Sequence, residues 1–184
     1  MSGMTMTVLA SIWLQLHGEQ EIAQREMIAS LALLHGTVPF QPHLTVCGPQ
    51  LSPAAWDAAS EYVSDCKLLP LTVKKLAISH SANVPFRAVV IDVEDRADIR
   101  KFREDLRRIT GAAAPPPPHI SLLYALDGGT LRPMPSLDDD KLRAIAADCA
   151  SRLAASEFVL DHPVIVVPER DWTNVPSWKV ERNL

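Results

Sequence analysis

Apolar and polar residues alternate along the first third of the chain in a pattern that predicts two strand-helix pairs. Residues 11–16 have strand-like composition, and Gly18 separates them from a helix. The apolar residues of this helix recur at helical spacing, at Ile22, Met27, Ile28, Leu31 and Leu34. A short strand at residues 43–47 follows, and Ser52 is the expected N-cap of a second helix that continues towards Cys66.

The rest of the chain predicts five more strands and two more helices. Asp95 is the expected cap of a helix that stops at Gly111, and Asp138 is the expected cap of a last helix at residues 141–155. The predicted strands cover residues 69–78, 86–93, 119–124, 157–167 and about 175–183. The order β-α-β-α-β-β-α-β-α-β-β, with several hairpin links, favours an α+β fold with largely antiparallel sheets over a doubly wound parallel sheet.

Composition limits the class of protein. The 184 residues, 47% hydrophobic and 22% charged, suit a single globular domain. The net charge of −4 argues against binding to long nucleic acid, although a protein with this charge can still bind a small anionic ligand. The basic residues at positions 100–108 alternate with acidic ones, which predicts a solvent-exposed helix face.

Cysteine spacing and the N-terminal segment indicate the compartment. Cys47, Cys66 and Cys149 show no C-x-x-C spacing and are expected to be reduced. The apolar stretch at residues 8–16 is too short to span a bilayer and lacks the flanks of a signal peptide. We therefore expect a cytoplasmic protein that is not bound to a membrane and is monomeric.

One five-residue sequence motif occurs twice. Residues 42–46 read Pro-His-Leu-Thr-Val and residues 118–122 read Pro-His-Ile-Ser-Leu. Chance would produce two such matches on the order of once in several hundred chains of this composition. On a strand, residues i and i+2 share a face, so each copy directs a histidine and a hydroxyl to one surface and two apolar side chains to the core.

This residue set suits phosphodiester cleavage without a metal or another cofactor. Because the pKa of histidine is near neutrality, one imidazole can activate water while the other protonates the leaving oxygen. Thr45 and Ser121 can donate hydrogen bonds to the non-bridging phosphate oxygens. We assign His119 as the general base and His43 as the general acid, and the symmetry of the two motifs leaves the reverse assignment open.

The two motifs resemble those of the two-histidine (2H) phosphoesterase superfamily, and the details look most like its cyclic nucleotide phosphodiesterase branch. The likeness covers nearly the whole chain. It includes the strand Ser-Ile-Trp-Leu at 11–14, Phe-Gln-Pro-His-Leu-Thr-Val at 40–46, His-Ile-Ser-Leu-Leu-Tyr at 119–124 and Ser-Trp-Lys at 177–179. The resemblance implies a bilobal fold with pseudo-two-fold symmetry, in which residues 1–184 form one domain and each lobe contributes one motif to a central cleft.

The resemblance also implies a substrate class. Expected substrates are ADP-ribose 1″,2″-cyclic phosphate and nucleoside 2′,3′-cyclic phosphates, each opened to a phosphomonoester. By the same likeness, Trp13 and Tyr124 would line the cleft against the base or the sugar, with core packing as the alternative for both. Two other functions stay open: an enzyme acting on RNA ends, like the 2′-5′ RNA ligase-like branch, and a nucleotide-binding module without turnover.

The remaining histidines and Cys47 offer weaker interpretations. Cys47 follows Thr45 by two positions and could form a metal site with His43 and His119, but the ligand spacing of closed metal sites is missing. His80 and His162 are predicted in turns, and His17 and His35 follow a strand and a helix, so exposed or hydrogen-bonded histidines are expected at all four positions.

Overall fold

The computed structural model describes residues 10–48, 51, 53–66, 68–113, 115–126, 133–168 and 174–184. Their elements, in chain order, are β1 (Ser11–Leu16), α1 (Gly18–His35), β2 (His43–Cys47), α2 (Pro53–Asp65), β3 (Leu71–His80), β4 (Val89–Val93), α3 (Ala97–Thr110), β5 (His119–Leu123), α4 (Asp139–Arg152), β6 (Glu157–Val167) and β7 (Lys179–Asn183). Single 3₁₀ turns at Pro85–Arg87 and Val175–Ser177 precede β4 and β7. The predicted order of seven strands and four helices is confirmed.

The predicted helix caps differ in outcome. Asp138 caps α4 as predicted, since its carboxylate accepts a hydrogen bond of 2.9 Å from the backbone N–H of Lys141. The prediction for Asp95 is wrong, because α3 begins two residues later and Arg96 occupies the N-cap position. Ser52, the predicted cap of α2, lies outside the described residues.

All strand pairs of the described residues are antiparallel, and the two halves of the fold share one continuous sheet. One half is β2-β1-β6-β7 and the other is β5-β4-β3-β6. The long strand β6 belongs to both, pairing with β3 through residues 157–160 and with β1 through residues 160–166. A contact between β2 and β5 joins the halves on the other side. The α+β class is confirmed, and the two sheets expected from the sequence are thus continuous with each other.

The helices cover the sheet and enclose the core. In the described residues, α2 packs on α3, α3 contacts β2, and α4 covers β3 and β4. The prediction that the basic residues of α3 are exposed is wrong for Arg103. This residue is only 8% exposed because it shares a helix face with Ile99 and Leu106. Within the described part of the chain, no helix has both the length and the apolar composition to cross a membrane.

Gly48 allows β1 and β2 to approach each other where β2 ends. Its φ is +128°, and a Cβ atom there would lie 2.8 Å from the Cα atom of Ser11. The same approach brings the Ser11 hydroxyl to the Cys47 carbonyl, to which it donates a hydrogen bond of 2.7 Å. Any side chain at Gly48 would therefore push β1 away from the strand that carries His43.

We predict that Gly48→Ala lowers the free energy of unfolding by roughly 2–4 kcal/mol, because it adds overpacking to backbone strain. Gly36→Ala is the matched control: Gly36 also has a positive φ, of 68°, but a Cβ there would meet nothing within 4 Å. It should cost about 1 kcal/mol from backbone strain alone. Urea denaturation measures both values, and equal losses would contradict the role of the Ser11 contact.

Candidate active site

The pairing of β2 with β5 brings the two repeated motifs side by side. Leu44 pairs with Ile120 in antiparallel register, and both side chains are 0% exposed. Since neighbouring strand residues point to opposite faces, the histidines and hydroxyl residues on either side of this pair emerge together on the other face of the sheet. The structure thus assembles the predicted histidine and hydroxyl residues into one site.

The register also determines which side chains are neighbours. Continued by one residue in each direction, it places His43 opposite Ser121 and Thr45 opposite His119. Such cross-strand neighbours have Cβ atoms about 4.5–5.5 Å apart. Each imidazole therefore lies beside the hydroxyl of the other motif. Ser121 is 4% exposed and its hydroxyl donates a 3.1 Å hydrogen bond to the Phe86 carbonyl, from which it must rotate to reach a ligand.

Both histidines are oriented in the same way by the backbone two residues before them. The Nδ1 atom of His43 lies 2.6 Å from the carbonyl oxygen of Gln41, and Nδ1 of His119 lies 2.7 Å from that of Pro117. A carbonyl only accepts, so Nδ1 carries the proton in each ring. In the neutral imidazole, Nε2 is then the free base, and in the protonated imidazole it is the donor.

The proline-rich segment before β5 is tied to α3. The Nη2 atom of Arg103 donates to the carbonyl oxygen of Pro116, and the next carbonyl in the chain, that of Pro117, accepts from His119. Prolines hold this segment extended because each fixes its φ angle. Arg103 thus connects the helix to the backbone that orients His119. The helical spacing with Ile99 and Leu106 could have predicted that Arg103 is buried.

The two imidazoles differ in environment. His43 is 5% exposed and stacks on Trp13, with ring centroids 3.5 Å apart and planes 8° from parallel. Burial, with a smaller contribution from the nearby His119, lowers the pKa of His43 to about 3, although the hydrogen bond to the Gln41 carbonyl opposes this shift. Burial also lowers the pKa of His119, which is more exposed and lies opposite Asp92 on β4. The symmetric motifs therefore present two imidazoles of unequal basicity.

We predict that His43 makes the protein less stable in acid. Its pKa of about 3 lies below the ordinary value of 6.5, so between these pH values the unfolded chain binds a proton that the folded chain does not. As the pH is lowered through this window, the free energy of unfolding should decrease by up to about 1.4 kcal/mol per pH unit because of this group. Urea unfolding at several pH values should show a shallower slope for His43→Gln, and equal slopes would contradict the burial of a neutral imidazole.

Arg87 is a site residue that the sequence pattern did not reveal. It follows Phe86, whose carbonyl accepts from Ser121, and its positive charge contributes to the lowered pKa of His119. Its Nε atom is buried and has no hydrogen-bond partner among the described residues. Such a group suits an anionic ligand. No local motif marks Arg87, because only the pairing of β4 with β5 brings it near His119.

A cavity of about 290 Å³ shares wall residues with the surroundings of His43, although none of the four motif residues lines it. Three residues of its wall, Trp13, Phe40 and Gln41, also contact His43 through ring stacking, ring edge and backbone carbonyl. Tyr124 is only 4% exposed and stacks on Phe40 with a centroid distance of 3.7 Å. Trp13 therefore borders the cavity, whereas Tyr124 supports the wall. Their contact with a substrate stays a prediction.

Cys47 lies apart from the two histidines. Its thiol is buried and lies 3.2 Å from the Thr110 hydroxyl, and burial raises its pKa. In the described ranges, no group of potential metal ligands within coordination distance combines Cys47, His43 and His119.

Comparison with solved structures identifies the fold. The chain is similar to a structure described as a phosphoesterase (14% identity, TM-score 0.59) and to Escherichia coli LigT in complex with ATP (11% identity, TM-score 0.57), with 97% of each chain covered in both cases. It is also similar to Kluyveromyces marxianus Usb1 with uridine monophosphate (10% identity, TM-score 0.50), over 88% of this chain and 94% of Usb1. No protein-family model and no curated protein sequence matches the chain. These similarities confirm the fold that the resemblance to the 2H phosphoesterases implied.

Proposed function

We propose that this protein is a metal-independent cyclic phosphodiesterase that opens a nucleotide cyclic phosphate to a phosphomonoester. The observation that carries the proposal is the antiparallel pairing at Leu44 and Ile120, which sets an imidazole and a hydroxyl from each motif on one face. Two imidazoles with free Nε2 atoms can supply the acid and the base that hydrolysis of a phosphodiester requires. The substrate class is that of ADP-ribose 1″,2″-cyclic phosphate and nucleoside 2′,3′-cyclic phosphates.

The reaction follows from these groups. One imidazole takes a proton from water as the water oxygen bonds to phosphorus, and the opposite P–O bond to the ribose breaks. The other imidazole gives its proton to the departing ribose oxygen. Thr45, Ser121 and Arg87 stabilise the negative charge on the non-bridging oxygens as it grows in the transition state. The ring of the substrate opens, and one ester bond to the phosphate remains.

The environments of the histidines favour His43 as the base and His119 as the acid, the reverse of our assignment from sequence. A general acid must carry its proton before the step begins. The buried His43, with a pKa of about 3, is neutral near pH 7, so its Nε2 carries no proton when the step begins. Burial and the charge of Arg87 lower the pKa of His119, but its greater exposure and the opposing Asp92 carboxylate leave it easier to protonate than His43. A bound phosphate would raise the pKa of both rings, and His119 would still be easier to protonate than His43.

A nucleotide is the class of substrate that the cavity best accommodates. Its aromatic wall of Trp13, Phe40 and Trp178 suits a base or a ribose, because flat apolar rings stack on such side chains. The cavity adjoins His43, so a nucleoside there would hold its phosphate near the histidines. The similar LigT structures contain ATP, NADP⁺ or 3′-AMP, and the Usb1 structure contains uridine monophosphate, which supports the same class of ligand here.

We predict that the protein hydrolyses adenosine 2′,3′-cyclic phosphate and that His43→Ala or His119→Ala lowers kcat about 10²–10⁴-fold by removing acid or base catalysis. Thr45→Val should lower kcat about 10-fold or more through the loss of one charge-stabilising donor. Chromatography of the products and circular dichroism of each variant provide the measurement. His80→Ala, at the end of β3, is the matched control and should retain full activity.

Chelation separates this mechanism from a metal-dependent one. Activity should survive exhaustive treatment with EDTA, and its loss would overturn the proposal. Binding of the nucleotide without any product would instead indicate a nucleotide-binding module.

A further inference from the structure

A second cluster of histidines lies outside the site, where β6 meets β1. The register shifts by one residue there: Gln15 pairs with His162 and Leu16 pairs with Leu160, which leaves Asp161 between them as a bulge. Adjacent strand residues ordinarily point to opposite faces. A bulge redirects side chains, and here the neighbours Asp161 and His162 make contact with each other. The turn expected at His162 is wrong, and the strand predicted at residues 157–167, which includes His162, is confirmed.

The Asp161 carboxylate lies between two imidazoles. One of its oxygens is 2.8 Å from Nδ1 of His17, and the other contacts Nδ1 of His162. The two imidazole rings are nearly parallel, with centroids 5.7 Å apart and planes at 13°. The potential ligand atoms of all three residues lie within 4.8 Å of one another. Both histidine side chains are well exposed, at 58% and 60%, so an ion could reach them from solvent.

The backbone that carries His17 is held firmly on β6. The backbone N–H of His17 donates to the carbonyl of Val159 at 3.2 Å. Gln20, in the first turn of α1, bonds β6 twice: its amide nitrogen donates to the Glu157 carbonyl and its amide oxygen accepts from the Val159 N–H, both at 2.9 Å. Together with the β1–β6 pairing, these bonds hold His17 near Asp161 without any metal.

We propose that His17, Asp161 and His162 form a surface site for a divalent transition metal, with Zn²⁺ as the best-suited ion. Two imidazoles and one carboxylate are a ligand set that zinc takes up, and water can complete a tetrahedral arrangement. Ligand bonds of about 2.0–2.1 Å require ligand atoms about 3.3 Å apart, which small rotations of the exposed rings can provide. Hard ions such as Mg²⁺ prefer oxygen ligands and are not expected to bind.

The metal site is separate from the proposed chemistry. His162 pairs with Gln15, and Gln15 pairs with His43, so the cluster lies two strands from the nearer catalytic histidine. At ordinary strand spacing this is about 10 Å. A bound ion would join the start of α1 to β6 and stabilise the fold. It would take no part in hydrolysis.

The test is calorimetric titration of Zn²⁺ into the full chain, freed of any histidine tag and stripped with EDTA. We expect about one ion to bind per chain and to raise Tm, because the ion binds the folded state. Asp161→Asn, which keeps the shape of the side chain, and His162→Ala at an exposed position should each weaken binding at least about tenfold. Mg²⁺ should produce neither heat of binding nor a shift in Tm.

Two controls locate the ion. His80→Ala removes a histidine that contacts the Asp139 carboxylate at 3.3 Å, and should leave binding unchanged. The double variant His43→Ala/His119→Ala should also bind one ion, which distinguishes this site from the proposed active site. Absence of binding, or binding that Asp161→Asn and His162→Ala leave unchanged, would overturn the inference. None of these measurements depends on turnover, so the metal site can fail or succeed independently of the proposed function.

Discussion

The pairing of Leu44 with Ile120 is the contact on which the candidate site depends. It is the residue pair through which β2 and β5 meet, and it joins the two halves of the sheet opposite their shared strand β6. Both side chains are fully buried, so shifting either strand by one residue would turn its apolar side chains out of the core and its histidine into it. The hydrophobic effect that stabilises the core thereby also selects the register that brings acid, base and hydroxyl groups together.

Symmetry of sequence does not produce symmetry of environment. Both histidines bond the carbonyl two residues before them and have the same proton on Nδ1. They differ in what surrounds the ring: Trp13 stacks on His43, whereas Asp92 and Arg87 lie near His119. An enzyme that needs one neutral and one protonated imidazole benefits from this inequality, because the ring that is easier to protonate can act as the acid while the other stays neutral.

The order of strands and helices and the two motifs could be predicted because they rest on local rules. Period-two alternation identified β2 and β5, and the Asp138 cap identified the start of α4. Features that depend on contacts distant in sequence were missed. The hydrogen bond of Arg103 to the Pro116 carbonyl depends on the path of the proline-rich segment, and the side-chain directions of Asp161 and His162 depend on a bulge set by pairing with β1. Arg87 reaches the site only through the pairing of β4 with β5.

The central claim is that the two motifs form one phosphate-binding site, and nuclear magnetic resonance of the imidazole Hε1 protons tests it most directly. Adenosine 2′-monophosphate, a product of the proposed reaction, would be titrated into the protein at constant pH. The account predicts that the signals of His43 and His119 shift together with a single dissociation constant, and that both rings take up protons more readily as the phosphate binds. A shift of one histidine without the other, or two unrelated dissociation constants, would contradict a shared site.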